Sequence, residues 1–376
     1  TTTLEKAVKN PLCEMFGIDI PVFAFSHCRD VVAAVSKAGG MGVLGMARMG
    51  PERLREELQW IDDHVDGKPY GIDVLMPTTY SDAGDLKYDI DKLLPTEHVE
   101  FVRDMIDAAG VPPLPPEEKD EIIRTLLGEL SFTPRESMEM IEIALEHPIK
   151  LIVNALGSPP PELIEKAHAK GIKVAALAGK AKHALKHKER GCDFVIAVGN
   201  EAGGHTGPIS SMVLWPNIVD AVAPMPVLGA GGVSRGRHLS AAMALGCAGV
   251  WCGSIWLKTV ESEVMPEIKE KLFAAEADDA VMTRAVTGKP CRTLRNAFTD
   301  AYEQPGALEP LPAPLQNILW WAEGRTRVER VRKAEFLTYP VGQVVGNMSE
   351  PTAVKQVIYE IMNEFLETQE RLGKVL

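Results

Sequence analysis

The sequence is poor in the features that would mark several function classes. It has six cysteines, Cys13, Cys28, Cys192, Cys247, Cys252 and Cys291, yet no Cys-x-x-Cys pair. Several stand in apolar strand or helix contexts, so buried free thiols in a reducing compartment fit better than disulfides. It has no dense Lys/Arg run, and its formal net charge is -12. Nucleic acid is therefore excluded as a main partner. No apolar run reaches about 18 residues, so no membrane span is expected. The first ten residues, TTTLEKAVKN, contain no apolar h-region, and a cytoplasmic protein is the expectation. No G-x-G-x-x-G fingerprint follows a strand, and no low-complexity tract interrupts the chain. What remains is 376 residues, 45% apolar, enough for one large barrel or two ordinary domains.

Short apolar runs alternate with helix-period segments from about residue 18 to residue 275. Strands are expected at Ile20 to Phe25, Met41 to Gly45, Tyr70 to Met76, Lys150 to Asn154, Ile172 to Leu177, Asp193 to Val198, Pro226 to Gly229 and Ala248 to Cys252. Helices fall between them. Asp30 is placed to cap one that stops at Gly39-Gly40, and Pro51 opens another with Leu54, Leu58, Ile61 and Val65 on one face. Ser234 is placed to cap a helix ending at Gly246. Continuously apolar strands imply a parallel sheet buried on both faces. Eight strand–helix units in about 250 residues are the mark of a (β/α)8 TIM barrel, an α/β fold. A doubly wound sheet satisfies the same count. The expected division is a barrel over residues 1–283, with an insertion at about 77–148, and a C-terminal helical cap over 284–376 without strands of its own. In the cap, a helix opening at Ser349-Glu350-Pro351 carries Val354, Ile358, Ile361 and Phe365 inward.

Loops after the strands form the active face of such a barrel. Three of them are rich in glycine: GNEAGGHTGP (Gly199 to Pro208) after strand six, GAGGVS (Gly229 to Ser234) after strand seven, and Cys252-Gly253-Ser254 after strand eight. Backbone N–H groups and helix N-termini after strands seven and eight are suited to a phosphate dianion. The pattern points to a phosphate-bearing ligand.

The blocks GNEAGGHTG, AGGVSRGR and ALGCAGVWCGS resemble those of the nitronate monooxygenase (2-nitropropane dioxygenase-like) family of FMN-dependent barrels. VSKAGGMGVLG, TGKPCRTLRN (Thr287 to Asn296) and Val341-Gly342-Gln343 extend the likeness over almost the whole chain. The resemblance implies FMN, an active-site histidine at His205, and cofactor contacts from Gly203, Gly204, Gly231, Gly232, Cys252, Gly253 and Ser254. It further implies that Ala24, Phe25 and Ser26 lie along the flavin ring, and that Asp73 stands where the family often has an asparagine. The implied reaction is oxidation of an alkyl nitronate by O2 to a carbonyl compound and nitrite. The chain departs from the family after strand one, where AFSHC replaces A-P-M. It departs again at Val198 and at Trp251-Cys252.

Other residues bear on the pocket. His27 and Asn154 are expected to line it, with Asn154 donating a hydrogen bond. Glu201 is expected to tie its loop down through backbone N–H groups. His183 and His187 stand four apart, a zinc-compatible spacing, but five basic residues surround them and a solvated basic face is expected; no metal site is read. A rival reading keeps FMN but uses NAD(P)H to reduce a quinone, an enoyl thioester or a CoA-linked compound. Another is a sugar-phosphate barrel, for which Lys180 is the candidate Schiff-base lysine. A third is a nucleotide-binding protein without turnover. All of these take a small-molecule partner, and a homodimer is compatible with any of them.

Overall fold

The computed structural model describes residues 10–47, 49–76, 93–130 and 134–374. Eight parallel strands close into a barrel in chain order: β1 (Val22–Ser26), β2 (Met41–Gly45), β3 (Tyr70–Val74), β4 (Leu151–Asn154), β5 (Lys173–Ala178), β6 (Phe194–Val198), β7 (Val227–Ala230) and β8 (Gly249–Cys252). β1 pairs with β8 through Val22–Val250, Phe23–Trp251 and Ala24–Cys252, which closes the ring and removes the doubly wound alternative. The expected strands are present, displaced by one or two residues at their ends.

Alternation along each strand divides the apolar residues between two layers. Phe23, Met41, Val43, Leu151, Val153, Phe194, Ile196, Leu228 and Trp251 fill the lumen. The short helix Pro11–Phe16 plugs its lower end, with Phe16 edge-on to Phe23 and Phe194 at 5.7 and 5.9 Å. Residues of opposite phase pack outward against helices. Leu54, Leu58, Ile61 and Val65, the face read from the sequence, meet Tyr70 and Ile72 there.

Two helix starts differ from expectation. The helix Arg29–Lys37 begins one residue before Asp30, which lies in its first turn. The Ser26 hydroxyl instead accepts the Cys28 N–H at 3.1 Å. The helix Gly236–Ala244 begins after Arg235. The Ser234 N–H donates to His238 Nδ1 at 3.1 Å, so a ring from inside the helix replaces the serine cap. His187 also departs from expectation: it is 2% exposed rather than solvated. Its ring lies 2.9 Å from Ser158 Oγ and 3.0 Å from the Leu177 carbonyl, and burial holds its pKa below the ordinary histidine value. In the helix Ala181–Arg190 the lysines turn outward, while Ala184 and His187 form the buried face.

The insertion supplies three helices, Thr96–Ala108, Pro116–Leu130 and Pro134–Ala144; residues 77–92 and 131–133 of it lie outside the described residues. The first two pack on a π-helical segment, Trp320–Arg325. There the buried Glu323 pairs with Lys119 and, at 3.5 Å, with Arg103. Arg327, 2% exposed, donates to Asp107 and to the Val111 and Pro112 carbonyls.

The C-terminal part is not purely helical. Strands β9 (Ala280–Thr283) and β10 (Cys291–Leu294) form an antiparallel hairpin that straddles the expected boundary at 283/284. The long helix Val354–Gly373 buries Val354, Val357, Ile358 and Ile361, with Phe365 half-buried, against the barrel helices. It approaches Gly236 so closely that a Cβ there would overlap the Ile361 carbonyl and the Phe365 amide nitrogen. Overpacking of this kind costs about 1–3 kcal/mol or more. Gly236→Ala should therefore lower the thermal unfolding midpoint by several degrees, whereas Gly50→Ala, at a site with open space, should leave it within a degree or so. Differential scanning calorimetry of the two variants checks this.

Candidate active site

The loop after β6 is closed by its own backbone and by four outside segments. Gly199 N donates to the Ala230 carbonyl at 2.9 Å, Asn200 N to Ile209 at 2.8 Å, and Asn200 Nδ2 to Gly207 at 2.9 Å. Glu201 turns its carboxylate to the start of helix Ser211–Val222. It accepts from Ser211 N at 3.0 and 3.1 Å and from Ser211 Oγ at 2.9 Å, the anchoring role expected of it. Gly203 lies against the late segment: a Cβ there would be 2.8 Å from Val341 Cα. Gly204, at φ +77°, exchanges both backbone hydrogen bonds with Arg292, at 2.9 and 2.7 Å. The Arg292 guanidinium donates to the Asn200 carbonyl at 3.1 Å, to Asn200 Oδ1 at 2.9 Å and to the Ala280 carbonyl at 2.6 Å. His205 is exposed at the end of this construction, with Nδ1 2.8 Å from the Pro290 carbonyl. Arg292 was not singled out from the sequence, although it lies inside the quoted TGKPCRTLRN stretch.

The loops after β7 and β8 offer donors. Gly231 and Gly232 take φ values of +93° and +75°, which side chains disfavour. Among the described residues none accepts from the N–H groups of Gly231, Gly232, Gly253 or Ser254. A Cβ at Gly253 would meet only Phe25, at 3.8 Å, so space is open beside that glycine. Ser254 Oγ accepts from Gly342 N at 2.8 Å, and Gln343 N donates to the Glu201 carbonyl at 2.9 Å. The Val341-Gly342-Gln343 segment thus joins the first and third glycine loops. Unsatisfied amides on two adjacent strand ends suit a phosphate dianion.

The remaining candidates sort by strand phase. Phe25 faces the lumen, stacked on Trp251 at 6.1 Å and edge-on to His27 at 5.0 Å. His27 is exposed, its Nδ1 2.9 Å from the Gly45 carbonyl. Ser26 is occupied as the partner of Cys28 N. Asp73 lies on the inner side of β3, opposite in phase to the outward Tyr70, Ile72 and Val74. It is 5% exposed, no hydrogen bond or ion pair reaches its carboxyl among the described residues, and desolvation raises its pKa well above the usual carboxylate value. Three expectations need correction. Ala24 and Cys252 point their side chains into the outer helix-facing layer, so only their backbones border the mouth. Burial pushes the Cys252 thiol up to about 12. Asn154 does not reach the pocket as a donor: Nδ2 is taken by the Met76 and Gly157 carbonyls at 2.9 and 3.1 Å, while Oδ1 accepts from Met76 N at 2.9 Å. It straps the loops after β3 and β4 together. Lys180 is exposed at the start of helix Ala181–Arg190, not inside the lumen, which removes the Schiff-base candidate.

Among the described residues no helix is long and apolar enough to cross a membrane. The family model described as nitronate monooxygenase matches residues 9–364. A protein of Mycobacterium tuberculosis described as a putative monooxygenase is 44% identical over 96% of this chain and 97% of its own length. A (3aS,4S,5R,7aS)-5-hydroxy-7a-methyl-1-oxo-octahydro-1H-indene-4-carboxyl-CoA dehydrogenase of Rhodococcus jostii is 31% identical over 82% of this chain and 72% of its own. The crystal structure of nitroalkane oxidase from Streptomyces ansochromogenes shares the fold, with a TM-score of 0.76 at 22% identity over 96% of this chain and 99% of that one. With the barrel, the glycine loops and a model match over nearly its whole length, the chain belongs to the nitronate monooxygenase family and is an oxidoreductase.

Proposed function

We propose that this chain binds flavin mononucleotide at the barrel mouth and oxidises alkyl nitronates with O2 to a carbonyl compound and nitrite. The observation that carries the reading is the set of unoccupied amides at Gly231, Gly232, Gly253 and Ser254 beside the clamped His205 loop. The amides would hold the phosphate, and Gly203 and Gly204 would let backbone approach the ribityl chain. Phe25, Trp251 and Asp73 border the space where the ring would lie. The flavin would supply the electron transfer, and the chain supplies position and charge. A nitroalkane carries an acidic C–H and a nitronate is an anion. His205 would remove the first or hold the second at neutral pH.

A second reading rests on the relative named as a carboxyl-CoA dehydrogenase. Here a nicotinamide or CoA-linked compound would exchange electrons at the same site. Anaerobic mixing with a nitronate, NADH or NADPH separates the two readings, since only the true reductant bleaches the flavin quickly. Bleaching by a nicotinamide alone would overturn the nitronate assignment.

The phosphate site is tested at Gly253, whose φ of -114° any residue can adopt. Gly253→Asp would set a carboxylate beside the dianion, and like charges 4 Å apart repel by about 4 kcal/mol at an effective dielectric near 20. The variant should purify folded but colourless; full yellow colour would place the phosphate elsewhere.

His205→Asn should keep the flavin yet slow reduction by a nitroalkane by about 10²–10⁴-fold, the usual range for a general base. The loss should be smaller with the preformed nitronate, which has already lost its proton. Stopped-flow absorbance with both compounds decides it, and equal rates in variant and parent would demote His205.

Asp73 gives a pH signature. A carboxyl whose folded pKa is raised keeps its stability at low pH and loses it as pH rises from the ordinary carboxylate range through the folded value. Asp73→Asn should therefore match the parent near pH 4 and become the more stable protein as pH rises. Chemical denaturation of the flavin-free forms across that range measures the divergence, and parallel curves would count against a neutral Asp73.

A further inference from the structure

We propose that the β9–β10 hairpin selects the tautomer of His205, with Nδ1 protonated and Nε2 bearing the lone pair, and that Arg292 is the positioning residue that makes the selection. The proposal gives an atom to the base in the reading above and rests on that reading for its kinetic consequence, though not for its structural one.

The His205 ring meets the Pro290 carbonyl. A carbonyl oxygen only accepts hydrogen bonds, so the ring nitrogen 2.8 Å from it must carry a hydrogen. In a neutral imidazole one nitrogen is protonated and the other is not, and the bond made by the first fixes the second. Nδ1 is therefore the donor, and Nε2 is left as the proton acceptor. None of the described residues offers Nε2 a partner.

The contact holds only if the Pro290 carbonyl and the His205 loop keep one register. Arg292, two residues beyond Pro290, supplies that register twice. Its backbone exchanges a hydrogen-bond pair with Gly204, the residue before the histidine. Its guanidinium, 6% exposed, bridges the two segments by donating to both oxygens of Asn200 on one side and to the Ala280 carbonyl of β9 on the other. Burial lowers its pKa while the Glu201 charge raises it. An arginine stays protonated under such a pull, and its planar fork reaches three acceptors that a lysine ammonium would not span together. A buried guanidinium satisfied by neutral oxygens is costly to keep as mere filling. Its placement is explained by what it aligns.

The balance of the proton-transfer step is simple. The nitroalkane C–H bond breaks, its electron pair stays on the substrate as the nitronate, and the proton bonds to Nε2. The imidazolium so formed keeps its Nδ1–H on Pro290, which spreads the new charge toward a carbonyl dipole.

The test uses the full-length, flavin-loaded protein with nitrogen-15 in its histidines. A long-range proton–nitrogen correlation above the ring's titration distinguishes a protonated from an unprotonated nitrogen, and the signals missing from His205→Asn are those of His205. The parent should show protonated Nδ1 and bare Nε2. Arg292→Ala should shift the ring to a mixture of tautomers, and Arg292→Lys should restore it only in part. With a nitroalkane, kcat in Arg292→Ala should fall at least about 10-fold, within the range of a displaced general base, while KM for the preformed nitronate changes little. A parent ring protonated at Nε2 overturns the proposal, and so does an unchanged tautomer in a folded Arg292→Ala protein. If Arg292→Ala does not fold, the parent spectrum and Arg292→Lys still decide. Failure of nitronates to turn over at all, with the tautomer as stated, would overturn the assigned reaction and leave the positioning role standing.

Discussion

The mouth of this barrel depends on backbone packed against backbone more closely than any Cβ would allow. A Cβ at Gly203 would be 2.8 Å from Val341 Cα, at Gly231 2.8 Å from the Gly199 carbonyl oxygen, and at Gly342 3.0 Å from Gly203 N. These contacts run from the loop after β6 to the loop after β7 and to the late segment at 341–343. Once the backbones meet at that distance, their polar groups must find partners in each other, as Gln343 N does with the Glu201 carbonyl. Among the described residues, the groups left over include the amides after β7 and β8 and Nε2 of His205. The site is what close packing leaves unsatisfied.

The same packing turns the acid of the β6 loop aside in a chain of net charge -12. Glu201 is the one carboxylate in the β6 loop. It is turned to the N-terminus of helix Ser211–Val222 and held by the Ser211 amide and hydroxyl. Desolvation favours the neutral form of Asp73 on the inner side of β3. Exposed charge farther away than a Debye length of about 8 Å at physiological salt is largely screened from an anion entering the lumen. Local orientation, not the global balance, sets the field at the site.

The barrel and its glycine loops were legible in the sequence because both leave strong local signals. Apolar runs of strand length recur at the right spacing, and glycines cluster where backbone must approach a ligand. Strand phase was not legible. When both faces of a strand are buried, hydropathy does not alternate, and nothing in VFAFS or GVWC says which residues look inward. That is why Ala24 was expected along the ring and Cys252 in contact with the cofactor, while both side chains lie in the helix-facing layer. Asn154 was misplaced for a related reason. A polar residue at a strand end has two ways to be satisfied, by a ligand or by neighbouring loops, and only the fold shows that Met76 and Gly157 take it up. The hairpin escaped because strands of four residues, β10 buried throughout and β9 in part, are too short to show a period, and His187 because its neighbours in sequence are not its neighbours in space.

The C-terminal part is more than a cover for the barrel. Arg292 and Pro290 hold the His205 loop, Gly342 and Gln343 tie the β6 loop to Ser254, and Asn347 Nδ2 donates to Ser234 Oγ at 2.9 Å in the β7 loop. Each of the three glycine loops therefore receives a hydrogen bond from residues that follow the last barrel strand. The insertion is bound in turn, since Arg327 and Glu323 join its first two helices to the segment that carries them. A chain cut after β8 would keep its lumen, whose side chains come from the strands and the first helix. Its loops would lose the partners that set their register. Stability of the barrel and order of the site are thus assigned to different parts of the chain, and substitutions in the hairpin should change the second more than the first.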